Sequence, residues 1–189
     1  SRNGGLQAIV NRIVRWADSA RHACLATATM GLAVFFDDYS NTLVVGNTMR
    51  PVTDSMNISR AKLAYIVDST AAPVACIALV TTWIGYEVGL IGDALQRIDG
   101  IEQEPYLLFL SSIAYSFYPL LAIVFVFMVA ATGRDFGPML AAERRARRQG
   151  SSETPGEATT LAIDCEPIDP VSGKPQRAIN AVLPILVLV

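Results

Sequence analysis

Apolar positions in this chain are gathered into blocks instead of recurring at the period of a surface helix or strand. Residues 106–132 run for 27 positions without a formal charge, enough to cross a hydrocarbon core of roughly 30 Å with tilt to spare. Residues 63–86 give 24 positions charged only at Asp68, and residues 22–49 give 28 charged only at Asp37 and Asp38. The pattern predicts two or three membrane segments and an all-α integral membrane fold.

Within those blocks the polar positions predict interruptions. The apolar run from Cys24 to Phe36 breaks at Asp37-Asp38-Tyr39-Ser40-Asn41 and resumes briefly through Leu43, Val44 and Val45, and a polar loop is expected over 47–59. Ser59 is placed to cap a helix starting at Arg60. That helix should break again over 68–73, because Pro73 cannot donate to the Ser69 carbonyl and its ring crowds it. In residues 106–132, Pro119 predicts a kink. The expected domains are therefore a membrane domain over 23–132 (broken segment 23–49, broken helix 60–91, helix 105–132) and a polar linker over 133–177. Ahead of them, Leu6, Ile9, Val10, Ile13, Val14 and Ala17 share one helical face opposite Arg12, Arg15 and Arg21, predicting an amphipathic interfacial helix over 1–22. Residues 178–189 read as the start of a transmembrane helix cut after about two-thirds of its length.

Composition agrees with a membrane chain. Hydrophobic residues make up 52% and charged residues 17%, against about 25% charge in an ordinary soluble domain, and the mean hydropathy is +0.38. The net charge of −2 points to no particular partner, and no nucleic-acid partner is expected. Cys24, Cys76 and Cys165 have no paired spacing and read as idle thiols. Loop charge gives an orientation. Residues 92–104 carry one Arg and four acids, and 133–177 carry seven Lys or Arg, so 92–104 is expected outside and 47–59 and 133–177 in the cytoplasm. Residues 1–21 are basic too. Segment 22–49 is then either a re-entrant hairpin with Asp37-Asp38 at its tip or a broken span; charge leaves both open.

Carboxylates at membrane depth cost about 2.5–3.5 kcal/mol each on insertion scales, so they usually mark function. Asp68 would lie roughly 12 Å along a helix from Arg60. Asp37, Asp38 and Asp68 all coincide with expected breaks, and unwinding frees carbonyl oxygens suited to a hard cation. Asp37, Asp38, Ser40, Asn41 and Thr42 surround one break; Asp68, Ser69 and Thr70 surround the other. A buried carboxylate can hold a proton when no cation is bound, so the two would compete for one group. Blander roles stay open: Asp37 as a cap for half a helix, Asp68 as a cap after its break, Glu87 as an interfacial residue, His22 as a surface residue, and the arginines at 144–148 as a solvated face near anionic lipid. The Gly85/Gly89 spacing permits close helix packing.

Two stretches carry a resemblance. Phe35-Phe36-Asp37-Asp38-Tyr39-Ser40-Asn41-Thr42-Leu43-Val44-Val45-Gly46-Asn47-Thr48-Met49-Arg50-Pro51 is one. Lys62-Leu63-Ala64-Tyr65-Ile66-Val67-Asp68-Ser69-Thr70-Ala71-Ala72-Pro73-Val74-Ala75, followed by Thr82-Trp83-Ile84-Gly85-Tyr86-Glu87, is the other. Together they resemble the signature region of NhaC-type Na+/H+ antiporters, nearly continuously over 31–92. The resemblance implies an internal portion of a longer bacterial inner-membrane carrier that exchanges Na+ for H+. It also implies ion-binding positions at Asp37, Asp38, Asn41, Asp68, Ser69 and Thr70, with Ser40, Thr42 and Glu87 behind them. Na+ would sit at Asp38, Asn41 and Asp68. No cofactor is implied beyond the transported ions. The partners are the lipid bilayer, the remaining transmembrane helices and, as an option, further copies of the protein.

The alternative is a carrier coupling these cations to an organic acid such as malate or lactate. It would need donors for a carboxylate near the midplane, and the apolar segments hold no Lys or Arg. An enzyme is not expected: an intramembrane aspartyl protease needs Gly-x-Gly-Asp, and Leu90-Ile91-Gly92-Asp93 lacks the first glycine.

Overall fold

The structure is a computed structural model that describes residues 19–98 and 103–149. The described residues form helices and no strand: α1 (Ala20–Ala33), α2 (Asp38–Ser55), α3 (Arg60–Ile77), α4 (Thr82–Leu95), α5 (Pro105–Ser112), a 3-10 turn (Ile113–Tyr115), α6 (Phe117–Thr132) and α7 (Gly137–Gln149). Two stretches, Arg60–Leu95 and Phe117–Arg148, are long and apolar enough to cross a membrane. Of the interfacial helix expected over 1–22, residues 1–18 lie outside the described residues and 20–22 open α1; the membrane helix expected over 178–189 also lies outside them.

Helix α3 is the hub, packed against α1, α2, α6 and α7. Its buried positions Ile66, Val67, Thr70, Ala71, Val74 and Ala75 recur at helical spacing. The core they enter is built from Ala23, Cys24 and Ala28 of α1, Val45, Met49 and Val52 of α2, and Val126 and Ala130 of α6. Small residues let α1 and α3 cross closely. A Cβ on Gly31 would overlap the Thr70 hydroxyl and lie 2.6 Å from its Cβ, so only glycine fits. Gly85 and Gly89, the pair singled out by spacing, meet nothing within 4 Å among the described residues.

Four expectations about the elements need correction. The polar loop over 47–59 is mostly helix, since α2 continues to Ser55. Its buried positions Val45, Thr48, Met49, Val52 and Thr53 keep a helical period beneath the outward-facing Asn47, Arg50 and Pro51. The break over 68–73 does not occur: α3 runs straight through with Pro73 inside. Burial on several sides outweighs the roughly 3 kcal/mol that an interior proline costs. The chain leaves helix later, over 78–81. Helix 105–132 is two helices. Pro119 would clash with the Tyr115 carbonyl four residues back, so the chain tightens into the 3-10 turn, opens at Ser116 (φ −78°, ψ 66°) and restarts with Pro119 in the first turn of α6. Last, the linker begins with a helix, α7, which buries Met139, Glu143 and Ala146 on one face.

Caps set the ends. Ser59 accepts from the Lys62 N–H at 3.2 Å and starts α3 where the sequence places it. Asn57 takes the left-handed conformation (φ 54°) in the turn from α2, and Gly133 (φ 65°) closes α6 by donating to the Val129 carbonyl at 2.9 Å.

Candidate functional site

The chain leaves helix over 34–37 and again over 78–81, and these two places lie together. The Thr82 N–H donates to the Phe36 carbonyl at 3.4 Å, and Trp83 Nε1 donates to Asp38 Oδ1 at 3.1 Å. Nearby, the Tyr106 hydroxyl donates to the Leu79 carbonyl at 3.0 Å and ties α5 to the same break.

Asn41 stands behind the first interruption and is fully buried. Its Nδ2 donates to three carbonyls: Gly31 at 2.6 Å, Val34 at 2.9 Å and Thr70 at 3.2 Å. The amide has two hydrogens, so one is shared. The local cause is plain. Helix α1 ends with carbonyls that have no intrahelical donor, and Asn41 supplies one for Gly31 while reaching α3 through Thr70. Its Oδ1 is buried and has no hydrogen-bond donor among the described residues. An amide oxygen left bare beside freed carbonyls is a ligand type suited to a hard cation.

Asp37 is the cap of α2: it accepts from the Ser40 N–H at 2.8 Å and has extended backbone. Asp38 and Asn41, three positions apart, share a helix face. Thr70 is fully buried, its hydroxyl donating back to Ile66 at 2.8 Å. Ser69 turns elsewhere, to a hydrogen bond with the Tyr65 side chain. Asp68 sits mid-helix, not at a cap, about 200° around α3 from Thr70. It is exposed and lines a separate groove with Thr42, Gly46, Arg50, Arg60 and Val67. The structure thus brings Asp38, Asn41 and the Thr70 carbonyl together and sets Asp68 and Thr42 on another surface. Arg60 in that groove pairs with Asp54 at 3.1 Å.

Sequence reasoning missed a second polar cluster. Lys62, 2% exposed, makes a 2.8 Å ion pair with Asp135, and Glu143 Oε1 lies 3.9 Å from the same ammonium. Glu143 Oε2 also accepts from the Ser59 N–H at 2.9 Å, at the N-terminus of α3, and Oε1 pairs with Arg147 at 3.2 Å. The available signal was spacing: Met139, Glu143 and Ala146 fall on one helical face inside a stretch that looks uniformly basic. Among the described residues no three His, Cys, Asp or Glu gather into a metal cluster.

Apolar helices that turn large side chains such as Tyr86, Leu121 and Val124 outward, two stretches of them long enough to cross a bilayer, fit a membrane protein. Residues 74–189 match the Na+/H+ antiporter family model. The chain is also 35% identical over 178 residues to an uncharacterized protein of Haemophilus influenzae, covering 92% of this chain and 32% of that protein. The chain belongs to the Na+/H+ antiporter family. It spans about a third of the length of the relative it matches, and no solved structure matches it.

Proposed function

We propose that this chain forms part of the ion path of a secondary transporter that exchanges Na+ for H+ across the bacterial inner membrane, the two cations competing for membrane-embedded carboxylates. The observation that carries the reading is the meeting of two helix interruptions at Phe36 and Asp38, with Asn41 buried behind the first. Irregular backbone is tolerated at membrane depth only where it is buried in protein or lines a cavity, and here it meets Asp38 and a buried amide oxygen without a donor.

In this reading Na+ takes Asp38, the Asn41 Oδ1 and backbone carbonyls, and a proton takes the carboxylate when Na+ leaves. Asp37 holds the start of α2 in place. Asp68 belongs to a second stretch of the path, in its groove with Thr42, where the rest of the parent protein supplies the missing wall. The segments meeting at 34–37 and 78–81 are broken membrane elements, with loops 47–59 and 133–177 cytoplasmic and 92–104 external. Family membership favours a transporter over an enzyme.

The test is the full-length parent protein in liposomes, with internal pH followed by a dye. A pH response to Na+ alone, lost in Asp38→Asn and Asp68→Asn, supports cation/proton exchange through both carboxylates. A response that needs malate or lactate replaces it with the organic-acid carrier. An intact response in Asp38→Asn removes the interruption site from the path.

A further inference from the structure

We infer that the exposed basic face of α7 is a docking surface for the acidic segment 153–169 of this same chain, which folds back on it as an electrostatic strap. The inference is independent of the transport reading.

Helix α7 has two opposite faces. Met139, Glu143 and Ala146 are buried, and Glu143 fixes that side to α3 through the Ser59 N–H and the Lys62 ammonium. On the other side Ala141, Arg144, Arg145 and Arg148 are exposed, at the i, i+3, i+4, i+7 spacing of a single stripe. Glu143 takes Arg147 at 3.2 Å. Among the described residues no carboxylate pairs with Arg144, Arg145 or Arg148. Like charges three and four positions apart on a helix repel, and an anionic partner relieves that repulsion.

The chain that follows supplies that partner. Glu153, Glu157, Asp164, Glu166 and Asp169 stand in 153–169 with no Lys or Arg among them, and the next base is Lys174. Gly150, Ser151 and Ser152 separate Gln149 from the first acid, residue types that favour a turn. Length fits as well. The stripe from Ala141 to Arg148 covers roughly 11 Å at helical rise, and the stretch from Glu153 to Glu157 spans up to about 13 Å when extended. The first two acids therefore reach the three arginines, with three more acids behind them. Tethering presents the segment to the face at an effective concentration on the order of millimolar, which favours it over a free anion. Each exposed pair is weak and screened by salt, so the strap closes at low ionic strength and opens as salt rises.

The test is double electron–electron resonance on the full-length parent protein in phosphatidylcholine nanodiscs. Spin labels sit at Ala141→Cys on the stripe and at the native Cys165 between Asp164 and Glu166, with exposed cysteines elsewhere replaced by alanine. A population with a short distance between the labels is expected at low salt. Its ratio to the distant population should fall about tenfold in Arg144→Gln/Arg145→Gln/Arg148→Gln and about twofold in Arg145→Gln alone. Salt at about 1 M should match the triple variant. Replacing the five acids together by their amides, Glu→Gln and Asp→Asn, should give the same loss as removing the three arginines. A ratio that responds to neither set of substitutions would overturn the docking. Loss of the short distance on moving from phosphatidylcholine to phosphatidylglycerol nanodiscs would give the face to lipid headgroups and overturn it as well.

Discussion

Helix α3 carries two polar clusters that solve opposite problems. Near its start, Lys62 meets Asp135, Glu143 and, through Glu143, Arg147, all charged groups and three of them almost fully buried. Further along, Thr70 offers a carbonyl to Asn41, which gathers two more from α1, and nothing in that knot carries formal charge. The charged cluster compensates itself, so its cost in low dielectric is met inside the protein. The neutral knot leaves one acceptor over, Asn41 Oδ1, with Asp38 a turn away. The ion pairs fasten α3 to α7 and its approach, with Asp135 Oδ1 held by charge alone, whereas the knot keeps a neutral acceptor in reserve. The charges most visible in the sequence therefore mark a fastening as readily as a binding site.

The comparison breaks first at the charged cluster. Lys62→Met strands Asp135 and Glu143 in the interior and should destabilise the full-length protein by about 3–5 kcal/mol, read as a lowered Tm in detergent. Adding Asp135→Leu should recover part of the loss, because the uncompensated charge is then reduced. Next comes the knot. Asn41→Ala leaves the Gly31, Val34 and Thr70 carbonyls short of a donor, and a loss of about 1–3 kcal/mol is expected by thermal or denaturant unfolding. Any Na+-driven pH response should vanish as well. The smallest effect belongs to the contact joining the two interruptions. Trp83→Phe removes the Nε1 hydrogen bond to Asp38 and keeps most of the ring. Because Trp83 is 44% exposed, the loss should be about 0.5–1 kcal/mol, with a measurable change in apparent Na+ affinity. A Trp83→Phe loss as large as that of Asn41→Ala would mean that the second interruption, not the knot, holds the region together.

The two prolines show why some of the fold could be read from the chain and some could not. Pro73 and Pro119 carry the same local signal, a missing donor and a ring against the fourth carbonyl back. Pro119 lies where the neighbouring helix surface is largely exposed, and the helix gives way. Pro73 is buried within α3, whose neighbours hold it on several sides, and the helix persists. The Asp37 interruption was legible because a capping carboxylate acts on its own N–H groups, within three residues. Ser59 was legible for the same reason. The turn at 78–81 was not, since its partners Phe36 and Tyr106 are distant in sequence.

By itself, the sequence determined what local chemistry can determine. Charge-poor blocks pointed to a membrane chain, side-chain oxygens at 37 and 59 set helix starts, and the aspartate pair at 37–38 marked a helix interruption. Tertiary structure decided which polar groups meet. It set Asn41 against Thr70, 29 residues away, and Ser59 against Glu143, 84 residues away, and it turned Asp68 onto a separate groove. The physical reason is that burial and pairing depend on which helix faces cross, and the crossing of α1 with α3 is close only because Gly31 has no side chain to meet Thr70.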